Sequence, residues 1–347
     1  MYKFYKVCYF YVNKYSILLC DRGTKLITKE ILMDKYNITE ELIQSSEMEW
    51  TEFCDIYEDF SKNKYEHYKE IMEDFLATYL KDINEKNGIE KDREVKIHSI
   101  RSRVKDAEHL IVKIIRKKQE NDLKYRNLDK NNYEKFITDL IGIRCLVLFK
   151  DDWENLHYYL LSKFENNVEY YVKDAVSDFD DNINHYYFAE KPKVHIRNGD
   201  ARDGYEKVLS PDCVLDGKVY RSIHYIIKYK GVYLEIQVRT IFEEGWGEVD
   251  HTIVYPYYQD DRILKEYTEL LNRLSGLADE MSAFFVRLKK LEVKNIEKET
   301  PTINIVQSEA IQAEDRKRIT PNKELTNEKA KFDDNTPLDC LRSVLDE

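Results

Sequence analysis

The sharpest alternation of polar and apolar positions lies at residues 220–240. Two strand-forming runs, Tyr220–Tyr229 and Val232–Thr240, flank Lys230-Gly231, a tight-hairpin signal. In the second run Leu234, Ile236 and Val238 alternate with Glu235, Gln237 and Arg239. One face of that strand is therefore apolar and the other polar. Tyr220, Ser222 and His224 share one face of the first run by the same period and are expected to pair with the polar side across the hairpin. A polar strand face is commonly just solvated. A face that gathers Tyr, His, Glu, Gln and Arg is also what a ligand site needs, and periodicity alone does not choose between the two.

Helical spacing dominates elsewhere. Trp50, Phe53, Ile56, Tyr57 and Phe60, then Tyr68, Ile71, Phe75, Tyr79 and Leu80, predict two helices within 39–84, followed by a turn at 85–91. Val95–Lys105 reads as a strand, and Asp106 as the N-cap of a helix reaching Lys118. A short helix is expected from Tyr133 to Leu140, a buried strand over Ile143–Phe149 and a helix over 153–164. Residues 165–215 are mixed, with loop signals at Asp178–Asp181, Asn198–Gly204 and Ser210–Gly217. Helices follow from Phe242 towards His251 and from Arg262 to Leu291. The expected organisation is an N-terminal extension (1–38), a helical flank (39–92), a central domain (93–258), a C-terminal helix (259–293) and a charged tail (294–347). A short helix at 337–346 is the one element expected in that tail, and Met33 is a conceivable alternative start.

Composition narrows the function classes. Ten glycines and six prolines in 347 residues leave few breakers, which favours helices and short loops. The net charge of −11 argues against a general nucleic-acid binder, because phosphate affinity rests on clustered cations. It leaves room for a local basic pocket. The six cysteines show no metal-finger or disulfide spacing and read as reduced thiols in a cytoplasm. The apolar stretches near the N-terminus are broken by lysines and too short for a signal peptide or a membrane span.

Two further groups carry candidate chemistry. Arg101, Arg103 and Lys105 share one face at strand spacing, with Lys113 two helical turns further on. Such cations beside a helix N-terminus suit a polyphosphate, although on these residues alone a solvated basic strand with an amphipathic helix is the favoured explanation. Asp139, before Gly142 and Arg144, is placed so that with Glu235 it could hold Mg²⁺. Taken alone it reads as a capping or surface residue. Neither the P-loop nor the kinase glycine loop is present, so phosphoryl chemistry here would depend on side chains.

Arg103-x-Lys105 with Lys113, DLIGIR at 139–144, YRSIHY at 220–225, LEIQVRT at 234–240 and WGEVDH at 246–251 resemble, in order and spacing, the synthetase domain of RelA/SpoT-type alarmone synthetases. The resemblance covers about half the chain and is most specific in the hairpin. It implies an α+β fold, a mixed sheet of about five strands flanked by helices. It implies transfer of the β,γ-pyrophosphate of ATP to the 3′-hydroxyl of GDP or GTP, with Mg²⁺. Arg103 and Arg144 would sandwich the adenine, and Lys105 and Lys113 would hold the phosphates. Asp139 and Glu235 would bind the metal. Tyr220 would stack on the acceptor base. His224, Gln237 and Arg239 would lie at the acceptor ribose and the moving phosphates, with Glu235 or His224 as the base. His251 would be structural.

Lys218-Val219 departs from the Asn-Gly or close variant that the family usually carries before the stacking Tyr, and 190–219 departs from the long-form enzymes. A synthetase-only member without a hydrolase domain is expected. An adenosine nucleotide or a tRNA 3′-end stays open as acceptor, as does an inactive nucleotide sensor. The flanks suit a homo-oligomer or an antitoxin partner, and no membrane partner is expected.

Overall fold

A computed structural model describes residues 28–81, 83, 94–119, 123–168, 171, 182–254 and 261–299. The turn expected at 85–91, the loop signal at 178–181, most of the N-terminal extension and the tail beyond 299 lie outside them.

Helix α1 (Lys29–Tyr36) is capped by Thr28, whose side chain accepts the Ile31 N–H. Its Leu32 is fully buried, so part of the expected extension is core. α2 (Glu40–Ser45) is followed by α3 (Trp50–Asp59) and α4 (Tyr65–Phe75). The step from α3 to α4 keeps the helical path through a wide π-type turn at Phe60–Lys64, which carries the apolar stripe onward. Strand β1 (Ser99–Val104) is shorter than the expected 95–105. α5 (Ala107–Gln119) begins where expected: Asp106 Oδ1 accepts the backbone N–H of Glu108 at 2.9 Å. α6 (Tyr133–Phe136) stops four residues before the expected end, so Asp139 sits in a turn leading into β2 (Ile141–Val147), not at a helix end. α7 (Trp153–Lys163) follows.

The mixed segment supplies β3 (Tyr187–Phe188), β4 (Lys193–Arg197), α8 (Asp203–Glu206) and β5 (Val214–Lys218). β6 (Ser222–Tyr229) and β7 (Val232–Thr240) form the hairpin, and α9 (Ile241–Val249) and α10 (Arg262–Glu299) complete the fold. Seven strands make one sheet in the order β1-β2-β7-β6-β4-β5, with β3 beside β6. β2–β7 and β4–β5 are parallel and the other pairs antiparallel. The architecture is the expected α+β arrangement. The sheet has seven strands where about five were expected, and β3, β4 and β5 come from segments whose short runs lack a clear period.

One face of the sheet carries the main core. Ile143, Ile223, Tyr225, Leu234, Ile236 and Val238 meet Phe53, Ile56, Phe75, Leu110, Ile114 and Leu156 from the helices. Each such buried side chain contributes about 1.5–3 kcal/mol. The hairpin turn needs positive φ at both central residues, and Lys230 and Gly231 have 47° and 81°. Lys230 is held there by Asp74 of α4 at 2.7 Å, and Asp74 also accepts from the Tyr229 hydroxyl at 2.6 Å. Among the described residues no helix is long and apolar enough to cross a membrane.

His157 on α7 is 2% exposed and stacks on Tyr225, with its Nδ1 unpartnered. Burial pushes its imidazole down to about 4. The unfolded chain, at an ordinary value of 6.5, therefore takes up a proton first as pH falls, and the native state loses stability. Urea unfolding at pH 7 and pH 5 should show a loss of about 2 kcal/mol from this group. His157→Phe should remove that part of the pH dependence; an unchanged slope would assign it elsewhere.

Candidate active site

The other sheet face is polar, and the strand register arranges it in rows. Arg103, Gly142 and Glu235 lie side by side on β1, β2 and β7. The next row runs Arg101, Arg144, Gln237, His224 and Lys193. Gly142 leaves open floor between Arg103 and Glu235, since even an added Cβ would come no closer than 3.9 Å to the Arg103 side chain. Tyr220 lies just before β6 rather than within it, so its expected strand pairing does not form. It still faces the site. Its ring stacks 5.4 Å from the His195 ring, and the Arg239 guanidinium lies 5.5 Å from its centroid.

At one end of the face, Lys105 and Lys113 converge on Asp139. Their Nζ atoms are 3.0 and 2.7 Å from Asp139 Oδ2. Burial lowers the Lys105 ammonium, with Lys113 and Arg103 adding to the effect and Asp139 opposing it. Asp139 Oδ1 is buried and has no partner. A buried carboxylate oxygen left unused beside two cations is suited to a metal ion or to a phosphate-bound one.

Glu235 occupies the centre. His224 Nδ1 is 3.4 Å from its Oε1, and Gln237 Nε2 donates to its Oε2 at 2.7 Å. Burial works to raise this carboxyl, but His224, Gln237 and Lys113 outweigh it and hold it down at about 2. Glu235 is therefore an anion at neutral pH. Both its oxygens are already engaged, so it reaches a metal only by exchanging a partner. His224 Nε2 and Gln237 Oε1 are buried and unpartnered, and the His195 ring lies 4.5 Å from that of His224. Burial, with His224 next, pushes His195 down to about 4, so it is neutral at pH 7.

The basic row is held from behind by α9. Arg144 Nη1 donates to Glu244 at 2.8 Å and to Glu248 at 2.7 Å. Arg101 and Arg239 reach Glu244 at 3.5 and 3.6 Å. Arg239 Nε also donates to the Ser222 hydroxyl at 3.3 Å. Arg221 of YRSIHY points away from the sheet face and grips Asp200 in a bidentate pair, together with Glu280 of α10. His251 lies in the π-type turn Asp250–Val254 that follows α9, where burial lowers its imidazole.

Residues 102–260 match the family model described as a region found in RelA / SpoT proteins. Residues 102–260, somewhat under half of the chain, therefore form a RelA/SpoT-type region. Solved structures similar to it include the small alarmone synthetase 2 of Bacillus subtilis, at 22% identity and a TM-score of 0.40, covering 66% of this chain and 98% of that one. The small alarmone synthetase 1 of Bacillus subtilis bound to its product pppGpp is similar at 16% identity and a TM-score of 0.39, covering 68% of this chain and 100% of that one. A GTP pyrophosphokinase family protein of Streptococcus pneumoniae is similar at 19% identity and a TM-score of 0.35, covering 75% and 98%. No curated protein matches.

The fold brings every expected site residue of this RelA/SpoT region to one face. It adds Glu244, Glu248 and His195, which sequence reasoning missed. The i, i+4 spacing of Glu244 and Glu248 on a helix that follows EIQVRT was the available signal. His195 gave none, because its strand shows only five residues of pattern inside a mixed segment. Glu244→Gln should leave Arg144 and Arg239 short of a counter-charge and cost about 3 kcal/mol in urea unfolding. A change below about 0.5 kcal/mol would show that Glu248 alone suffices.

Proposed function

We propose that the chain is an ATP-dependent nucleotide pyrophosphokinase that moves the β,γ-pyrophosphate of ATP to the 3′-hydroxyl of GDP or GTP. The observation that carries this reading is the buried, unpartnered Asp139 Oδ1 flanked by Lys105 and Lys113, on the same sheet face as Glu235. Lys105 and Lys113 bind the donor phosphates, and Arg103, over the open floor at Gly142, lies against the adenine with Arg144. Asp139 and Glu235 would hold Mg²⁺, which when bound neutralises the charge on the phosphates. In-line phosphoryl transfer demands chiefly positioning and charge neutralisation, and these side chains offer both.

On the acceptor side, Tyr220 takes the purine, with Arg239 and Gln237 towards the ribose and the transferred group. His224 donates from Nδ1 to Glu235, which leaves Nε2 as a free lone pair. His224 Nε2 is accordingly the group placed to accept the 3′-hydroxyl proton. Val219, 62% exposed, and Lys218 stand at the rim of this half, where the expected Asn-Gly is replaced. We assign the activity to the cytoplasm, in keeping with the free thiols of Cys54, Cys145 and Cys213.

Incubation with γ-labelled ATP and Mg²⁺ should move label to GDP or GTP. Parallel reactions with AMP, ATP and bulk tRNA test the acceptor, and transfer to none of them would refute an enzyme. Glu235→Gln should lower transfer at least about 100-fold while the melting temperature holds. Tyr220→Ala should raise the acceptor KM with little change for ATP, and Tyr220→Phe should restore it; an equal effect on both substrates would place Tyr220 outside the acceptor pocket.

A further inference from the structure

α10 docks on its own domain through its polar side. Thr268, Ser275 and Asp279 are buried there, while Tyr267, Leu270, Leu274 and Leu277 stand exposed on the opposite side. The polar side meets the chain where β5 gives way to β6. Both strands flank β4, so residues 219–221 must cross the end of β4 to join them. Tyr220 is the middle residue of that crossing and has no ladder partner to fix its backbone. Its two neighbours are held instead, and both are held by α10. Before it, the Val219 carbonyl accepts from Asn272 Nδ2 at 2.7 Å. After it, Arg221 donates to the Gly276 carbonyl at 3.4 Å and to Glu280 at 2.9 Å.

Asn272 is itself held. Its Oδ1 accepts from Arg197 Nε at 3.1 Å and from Nη2 at 2.7 Å. Arg197 ends β4, and its Nη1 pairs with the buried Glu243 of α9. Only one orientation of the Asn272 amide serves both partners, since Arg197 offers only donors and the Val219 carbonyl only an acceptor. The close approach of Arg197 needs Gly276. A Cβ there would lie 3.3 Å from Arg197 Nη1 and 3.4 Å from its Cζ, tighter than ordinary contact. Glycine inside a helix is less stable than alanine. Its place one turn after Asn272 is explained by the guanidinium lying across it. Val219 contributes its carbonyl rather than its side chain, which is 62% exposed.

We propose that Asn272, with Arg197 and Gly276 behind it, is the positioning residue for Tyr220. α10 thereby completes the acceptor half of the site from beyond the matched stretch, which ends at residue 260. This rests on the reading of Tyr220 as the platform for the acceptor purine. The donor groups Lys105, Lys113 and Asp139 bond to one another instead, so the effect falls on the acceptor alone.

Asn272→Asp keeps the acceptor for Arg197 and removes the donor to Val219. It should raise the KM for GDP or GTP roughly tenfold, with the KM for ATP, kcat and the melting temperature unchanged. In the Tyr220→Ala background the same substitution should add nothing, because both act through one contact. A readout free of turnover is a ring-fluorinated tyrosine placed at position 220. Its fluorine resonance, recorded without nucleotide, should shift or broaden on Asn272→Asp. It should stay as it is on Glu269→Gln, an exposed position of the same helix. An unmoved resonance on Asn272→Asp, or a KM that rises equally for ATP and acceptor, overturns the proposal. A wild type that moves label to no acceptor, with a resonance that does respond, refutes the enzyme and leaves the positioning of Tyr220 standing. Label transfer with an unmoved resonance does the reverse.

Discussion

Three guanidinium groups, from Arg101, Arg144 and Arg239, converge on the carboxylate of Glu244, which is 3% exposed at the start of α9. Like charges on neighbouring strands repel, and a sheet cannot gather them without an anion behind it. α9 supplies that anion directly after β7, because Thr240 caps the helix by accepting the Glu243 N–H and so fixes where its first turn lies. The rest of the face follows from this placement. Arg144 is drawn back towards α9, Arg103 stays over Gly142, and Arg239 is held between Ser222 and the Tyr220 ring. A chain of net charge −11 can thus present a cationic floor, since its acidic residues are spent beneath and around that floor rather than on it.

The hairpin was legible because its alternation is clean over nine residues of β7, and its polar side chains all reached the site. The Lys230-Gly231 turn was legible for a similar reason, although the structure shows that Lys230 holds its positive φ with help from Asp74, a contact 156 positions away that no local pattern reveals. β1, β2 and α5 were placed within a few residues. β3, β4 and β5 were not, since two to five residues of pattern in a mixed segment cannot be told from loop. The site was legible as a set of residues and less so as a set of contacts. Asp139 and Glu235 stood out as carboxylates, but only the fold shows that one has an unused oxygen while the other is already engaged by His224 and Gln237.

α10 illustrates the limit of reading one helix alone. Its repeat is regular enough to predict a helix from sequence, yet amphipathicity does not say which side faces the domain. That choice is made by Arg197 and Arg221, which sit at the end of the sheet and draw Asn272, Asp279 and Glu280 towards them. Several directional polar contacts outbid the usual preference for burying the apolar stripe against the nearest core.

The hairpin tip has one more consequence. Asp74 ties Tyr229 and Lys230 to α4, and Phe75 and Tyr79 pack edge-on against Tyr229 while also meeting Phe164. α4 precedes the stretch that the family model matches, which begins at residue 102. The matched stretch and the unit of folding are therefore of different lengths in this chain. The hairpin lies inside the matched stretch, but the contacts that keep its tip in register come from a helix outside that stretch, so a fragment cut to the match alone would leave the tip unsupported.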